Sequence, residues 1–187
     1  MSSISLPHVI LKIGFKIDVS VESCMDLYKA IQIGDWNAAE EFLNSHPDAI
    51  RAKIAVGNKT ALHVAAEAGH VHIVEALVNL MDEDDLGIRD IEGFTALARA
   101  TYNGNYRMVE CMLGKNENLV RIPTCGGQIP VGLALHNVDL ELARYLYFRT
   151  PLEIRKPEND FTGSLVVCEA IYSKALGKNL LFVLTLH

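Results

Sequence analysis

A repeat of about 35 residues constrains this chain more than any other feature. Four eight-residue segments align without gaps, and their starts, at Leu27, Leu62, Leu97 and Val131, are 35, 35 and 34 residues apart. Regular periods of 20–50 residues are typical of stacked structural repeats. Each segment is followed at the same offset by a second apolar pair: Phe42-Leu43, Leu77-Val78, Met112-Leu113 and Leu146-Tyr147.

The second copy shows how one unit folds. Thr60 is suited to cap the free amides of a helix that begins at the next residue. Leu62, Ala65 and Ala66 then form a narrow apolar stripe at helical spacing, and Gly69 supplies the positive φ that ends the helix. A second helix follows, with four inward-facing residues: Ile73, Val74, Leu77 and Val78.

The other copies repeat this unit with turn-rich segments between them. Pro130 suits the first helical turn of the fourth copy, where its missing N–H costs nothing. Residues 56–59, 90–93 and 123–127 are predicted to form hairpin-like projections. One helix pair cannot bury both faces of its stripe, so each copy needs neighbours. We therefore predict an all-α solenoid of stacked helix pairs, with four repeats in residues 22–155.

The fourth copy departs from the pattern at the turn between its helices. Gly34, Gly69 and Gly104 occupy one position in the first three copies, but Val138 occupies it in the fourth. Either Asn137 adopts the left-handed conformation there, or the turn has a different shape.

The two ends of the chain lie outside the four copies. In residues 1–21, apolar residues alternate with mostly polar ones from Val9 to Val21, which is a strand pattern. This extension either lacks fixed structure or covers the first repeat. Residues 156–187 begin as a fifth repeat and then lose the pattern, so we expect a degenerate or truncated copy. Its last apolar residues predict self-association through the C-terminal end, or alternatively a weak membrane contact: Leu180, Leu181, Phe182, Val183, Leu184 and Leu186.

Residues 60–78, Thr-Ala-Leu-His-Val-Ala-Ala-Glu-Ala-Gly-His-Val-His-Ile-Val-Glu-Ala-Leu-Val, closely resemble the ankyrin repeat. Residues 90–97 match the entry of the next repeat. The phrase Gly-Phe-Thr-Ala-Leu at 93–97 is similar to plant ankyrin-repeat proteins that usually carry a C-terminal membrane domain of the PGG type, which is missing here. The resemblance implies a non-catalytic module that binds other proteins, and plant relatives of this kind are associated with defence and stress signalling. It also implies that His63 braces the turns between repeats.

The resemblance further implies a concave binding face made by the turn tips and the first helix of each pair. Tyr102 and Arg99 on that face fit the aromatic and arginine bias of interface hot spots. Trp36 begins a second helix and is predicted to pack within the first repeat. The candidate binding residues are Asn58, Lys59, Asp90, Glu92 and Phe94 from the turns, and Gln32, Glu67, Arg99, Tyr102, Asn103 and His136 from the helices.

Charge and cysteine usage exclude several other classes. A net charge of −6 argues against nucleic-acid binding, which needs clustered Lys and Arg. The acidic run at residues 82–85 is predicted to be a solvated loop. The four cysteines are scattered, which favours reduced thiols in a cytoplasmic protein, and Cys125 is the thiol most expected to be exposed. No apolar run is long enough for a direct transmembrane span.

No sequence pattern supports catalysis or a cofactor. His63, Glu67, His70 and His72 lie close together, but the zinc pattern H-E-x-x-H is absent. Neither a phosphate-binding loop nor a G-x-S-x-G elbow is present. We therefore predict a binding protein without cofactor or metal. Two alternatives are the cytosolic part of a membrane-associated signalling or transport regulator and, remotely, a metal-dependent hydrolase.

Overall fold

The computed structural model describes residues 24–155, and the predictions for residues 1–21 and 156–187 lie outside this range. The described part of the chain contains four helix pairs. Three short 3-10 helices follow the first three pairs, at Pro47–Ile50, Asp84–Gly87 and Glu117–Arg121. The pairs are α1 (Met25–Ile33) with α2 (Trp36–Ser45), α3 (Ala61–Ala68) with α4 (Val71–Leu80), α5 (Ala96–Tyr102) with α6 (Tyr106–Lys115), and α7 (Pro130–His136) with α8 (Leu140–Arg149); α9 (Leu152–Arg155) is a single turn.

Helix ends follow the local sequence. The first helix of the second pair begins after Thr60 and ends at Gly69, whose φ is 81°, as predicted. Pro130 occupies the first turn of α7, also as predicted. The second helices have caps that the sequence analysis missed. In three of the four, a polar side chain accepts a hydrogen bond from a backbone N–H in the first turn: Asp35 from Ala38, Asn105 from Met108 and Asp139 from Leu142.

Small side chains let the first helices stack closely. The first helix of each pair contacts that of the next pair, α1 with α3, α3 with α5 and α5 with α7, and each also packs against the second helix of its own pair. One alanine per copy lies at the same position in this stack, and all four are buried: Ala30, Ala65, Ala100 and Ala134. The predicted inward residues of α4 are buried too, and Trp36 packs partly buried against the core. The predicted solenoid of helix pairs is confirmed.

The turns between pairs also stack on one another. The Ile91 N–H donates to the Gly57 carbonyl at 2.8 Å, and the Cys125 N–H donates to the Glu92 carbonyl at 3.0 Å. Within the first turn, Ala55 and Lys59 form an isolated β-bridge. The three turns therefore form one hydrogen-bonded row beside the first helices.

Two local predictions need correction. In the fourth copy Asn137 has φ −82°, and Val138 itself takes the left-handed conformation with φ 59°. The acidic run is not wholly solvated, because Asp85 is buried. Its carboxylate accepts from Arg51 Nε at 2.6 Å and from the Asp82 N–H at 3.1 Å. A cation from the preceding copy thus makes this burial possible.

Between residues 24 and 155, no helix is both long and apolar enough to span a bilayer.

Candidate protein-binding face

The candidate residues lie on the row of turns and on the stacked first helices, but their exposure differs. Asp90 is buried, and Lys59, Phe94 and Arg99 are half-buried. The remaining candidates are exposed: Gln32, Asn58, Glu67, Glu92, Tyr102, Asn103 and His136.

Arg99 is the centre of an ion-pair network on this face. Its Nη2 lies 2.5 Å from an oxygen of Asp90 and 2.5 Å from an oxygen of Glu92, and its Nε lies 3.3 Å from Glu67. Glu67 in turn accepts from Lys59 Nζ at 2.8 Å. These contacts join the turn and first helix of the second copy to those of the third. The Arg99 side chain is only 15% exposed, so most of its surface is used within the molecule.

Asp90 shapes the turn from inside. One oxygen of its carboxylate accepts from the N–H groups of Glu92 and Phe94, both at 2.9 Å, and the other accepts from Arg99. The side chain is 0% exposed. Asp90 therefore fixes the positions of Glu92 and Phe94, while its own carboxylate is not accessible to a partner.

Two aromatic rings, those of Phe94 and Tyr102, pack in succession on Arg99. The guanidinium of Arg99 lies 4.3 Å above the centre of the Phe94 ring, a cation–π contact. Tyr102 meets Phe94 edge-on, with ring centres 6.3 Å apart. Tyr102 remains 47% exposed. The result is an exposed aromatic ring held on a fixed support.

His63 ties the first helix of the second copy to the next turn. Its Nδ1 accepts from the Thr60 N–H at 3.3 Å and lies 2.8 Å from the Thr60 hydroxyl. Because Nδ1 accepts, the proton is on Nε2, which donates to the Phe94 carbonyl at 3.0 Å. Burial lowers the pKa of His63 and so favours this neutral form. The bracing role implied by the family resemblance is confirmed.

Three further polar side chains at helix ends also link neighbouring copies. Nε2 of His70 lies 3.2 Å from the Gln32 carbonyl, and Nε2 of His72 lies 3.2 Å from the Gly34 carbonyl. The Asn103 amide lies 3.5 Å from the Ala66 carbonyl. Within residues 24–155, no group of three or more His, Cys, Asp and Glu side chains is arranged to hold a metal ion.

A groove at the start of the face went unnoticed in the sequence. It has a volume of about 320 Å³. Candidate residues Gln32, Lys59 and Glu67 form part of its wall. Its apolar lining includes Met25, Tyr28, Ile54, Val56 and Val64. These residues come from two copies, and only the stacking of the copies brings them together.

A family model described as ankyrin repeats (3 copies) matches residues 27–122, just over half of the chain. The chain belongs to the ankyrin-repeat family. The match covers nearly all of the first three helix pairs, with the first two turns of the row and the Arg99 network. An array of ankyrin repeats typically serves as a scaffold for protein interaction, and the fold resemblance deduced from residues 60–78 is confirmed.

Individual ankyrin-repeat proteins match over a similar region. Mouse "Ankyrin repeat and SAM domain-containing protein 6" is 29% identical over 125 residues, which cover 65% of this chain and 14% of that protein. The "Probable E3 ubiquitin-protein ligase XBOS32" of Oryza sativa subsp. japonica is 32% identical over 110 residues, covering 59% of this chain and 21% of the rice protein. The chain thus spans about a seventh to a fifth of the length of these relatives.

Proposed function

We propose that this chain is a non-catalytic protein-binding module and that its partner contacts the face centred on Tyr102 and Glu92. The observation that carries this proposal is the support beneath Tyr102: its ring packs edge-on against Phe94, which itself lies under Arg99, and Tyr102 remains 47% exposed. An exposed ring with little freedom loses little conformational entropy on binding, which favours affinity.

Exposed polar residues of the same face would set specificity. The Glu92 side chain is 62% exposed, and Asn58 and Asn103 are also exposed. Arg99 and Asp90 are paired with each other, and they contribute by holding Glu92 and Phe94 in position. Gln32 and His136, on the first and last stacked helices, would extend the contact along the array.

The chain offers a matched test of this face. Tyr102 is on a first helix and 47% exposed, whereas Tyr106 is on the adjoining second helix and 41% exposed. We expect Tyr102→Ala to weaken binding of captured partners by about 30-fold or more, the range of interface hot spots. Tyr106→Ala should leave binding within about twofold. Affinity capture with the unaltered chain, followed by titration of each variant with the captured protein, measures both.

Equal binding by the two tyrosine variants would show that the partner does not use this face. Arg99→Ala is a poorer probe, because it leaves the buried Asp90 carboxylate without its cation and disturbs the turn itself. Circular dichroism of each variant distinguishes lost contacts from lost structure.

We also propose a cellular location and a role for this binding. The similarity to the rice protein supports a plant ankyrin-repeat protein, and we propose a cytoplasmic role in defence or stress signalling. The alternative is that the array is the cytosolic part of a membrane-associated signalling or transport regulator. A transcript that encodes this array followed by a transmembrane segment would favour the alternative. Self-association through residues 180–186 stays a prediction, since those residues lie outside the described range.

The metal-dependent hydrolase is the third hypothesis, and the contacts of the histidines weigh against it. His63, His70 and His72 each direct Nε2 at a backbone carbonyl of a neighbouring copy. Stoichiometric zinc in the purified protein, lost on His70→Ala, would revive this hypothesis.

A further inference from the structure

At its N-terminal end, the row of turns has a backbone N–H, that of Val56, without a hydrogen-bond partner in the described part of the chain. Val56, Ile91 and Cys125 occupy the same position in the three successive turns. The N–H groups of Ile91 and Cys125 each donate to a carbonyl of the preceding turn. The Val56 N–H makes no hydrogen bond to any residue between 24 and 155. In the second and third turns, this N–H donates to the turn before it. The equivalent N–H of the first turn, that of Val56, is available for a similar bond.

Apolar surface surrounds this donor. The Val56 side chain is 95% exposed and Met25 is 42% exposed. Both line the groove of about 320 Å³, together with Tyr28, Ile54 and Val64. An added extended segment binds where a backbone donor lies beside an open apolar groove, because the donor bonds its main chain and the groove takes its side chains. The Val56 N–H, which has no partner among residues 24–155, and the groove next to it form such an arrangement.

We propose that residues 9–21 of this chain dock here in an extended conformation. One of their carbonyl groups accepts from the Val56 N–H, and their apolar side chains cover the groove. This docking lies at one end of the candidate binding face and does not depend on the proposed partner.

The position of the segment in the chain favours it over a separate peptide. Residue 21 is only four residues before Met25, which itself lines the groove. A tethered segment has an effective concentration of about millimolar for short flexible linkers. Docking therefore needs no high intrinsic affinity.

The sequence of the segment also matches the site. Side chains alternate between the two sides of a strand. In residues 9–21 every odd position is apolar, whereas Lys12, Lys16 and Asp18 are on the other side. One side can therefore cover the groove while the charged side faces solvent. The odd positions are Val9, Leu11, Ile13, Phe15, Ile17, Val19 and Val21.

Amide hydrogen exchange of the full chain, followed by NMR, tests this docking at Val56. We expect the Val56 amide to exchange at least about tenfold more slowly than an unprotected amide. Phe15→Ser should abolish this protection, whereas Lys16→Ser, on the opposite side of the segment, should preserve it. Nuclear Overhauser contacts between methyl groups of residues 9–21 and the Tyr28 ring should be present in the unaltered chain and lost in Phe15→Ser.

Three results would overturn the proposal. The first is unprotected exchange at Val56 in the unaltered chain. The second is protection that persists when residues 1–21 are removed. The third is protection that grows with protein concentration, which would assign the groove to a second copy or another partner. The Ile91 amide, bonded to Gly57, should stay protected in every variant and so reports that the array itself is folded.

Discussion

Val138 has a backbone conformation that a β-branched residue rarely adopts. Its φ is 59°, and the equivalent Gly104 has φ 69°. The left-handed region costs a residue with a Cβ about 1–2 kcal/mol, and glycine almost nothing. The side chain of Val138 is 56% exposed, so little packing offsets this strain. The fourth copy keeps the shape of the turn at the expense of a strained residue.

Replacement of this valine should therefore stabilise the array. We expect Val138→Gly to raise the free energy of unfolding by about 1 kcal/mol, since the greater freedom of glycine in the unfolded chain offsets part of the relief. The reciprocal Gly104→Val should lower it by about 1–2 kcal/mol. Its new Cβ would lie 3.5 Å from an Asp139 oxygen, an ordinary contact, so the cost is mainly in the backbone. Urea denaturation measures both, and a destabilised Val138→Gly would contradict the strain.

The sequence predicted where the turns lie better than which residues carry their strain. Alignment with Gly34, Gly69 and Gly104 located the turn at Val138, but residue preference pointed to Asn137. The repeat geometry outweighs the preference of the single residue, because helices on both sides fix the path of the turn. Asp85 was missed for a similar reason: its partner Arg51 is distant in sequence, and only the stacking of copies brings them together.

At the scale of elements, the His63 side chain links α3 to the turn that precedes α5. Its ring contacts Thr60 on one side and the Phe94 carbonyl on the other. Burial lowers its pKa in the folded state. The charge of Arg99 acts in the same direction, while the Phe94 carbonyl and the charges of Asp90 and Glu67 oppose it. Burial is the largest effect, so folding favours the neutral ring.

The stability of the array should therefore depend on pH through this residue. The unfolded chain has a His63 pKa near the ordinary value of 6.5 and binds a proton more readily than the folded chain. The stabilising contribution is present above about pH 6.5 and is lost as the pH falls below that value. The slope from one histidine cannot exceed about 1.4 kcal/mol per pH unit.

The matched measurement is urea denaturation of the unaltered chain and of His63→Gln between pH 8 and pH 5. We expect the unaltered chain to lose more stability on acidification than the variant, because only the former has a ring to protonate. The difference between the two curves isolates His63 from the other titrating groups. Parallel curves would show that His63 does not couple protonation to folding.

Elements and their order were predictable from the sequence, whereas the charge network of the candidate face was not. The helices depend on local features such as Pro130 and Gly69, which a sequence displays directly. The pairing of Arg99 with Asp90, Glu92 and Glu67 depends on how a turn and two helices meet. Charged residues at such positions are ordinarily solvated, so composition gave no sign that Asp90 is buried.

At the scale of the whole molecule, stability depends on coupling between neighbouring copies. The first helices pack against their neighbours in the stack, α1 on α3, α3 on α5 and α5 on α7, and the row of turns repeats this nearest-neighbour pattern. Such an array behaves approximately as a sum of repeat and interface terms. A change in the third copy, which lies between two others, should therefore affect the copies on both sides, unlike an equal change on the surface.

A substitution of Ala100 tests this coupling between copies. It is fully buried on α5, which packs against both α3 and α7. We expect Ala100→Leu to lower the free energy of unfolding by about 2–3 kcal/mol, the upper range for overpacking, because the larger side chain separates two interfaces. Ala38→Leu, on the exposed surface of α2, adds the same atoms and should change stability by less than about 0.5 kcal/mol.

The two halves should also become less dependent on each other. In the unaltered chain, amides of α3 and α7 should lose protection together at increasing urea concentrations, since the interfaces through α5 couple them. In Ala100→Leu we expect these helices to lose protection at different urea concentrations, because the weakened third copy no longer couples the stability of α3 to that of α7. If α3 and α7 still open together, and Ala100→Leu matches Ala38→Leu in stability, close packing at the alanine position does not couple the array.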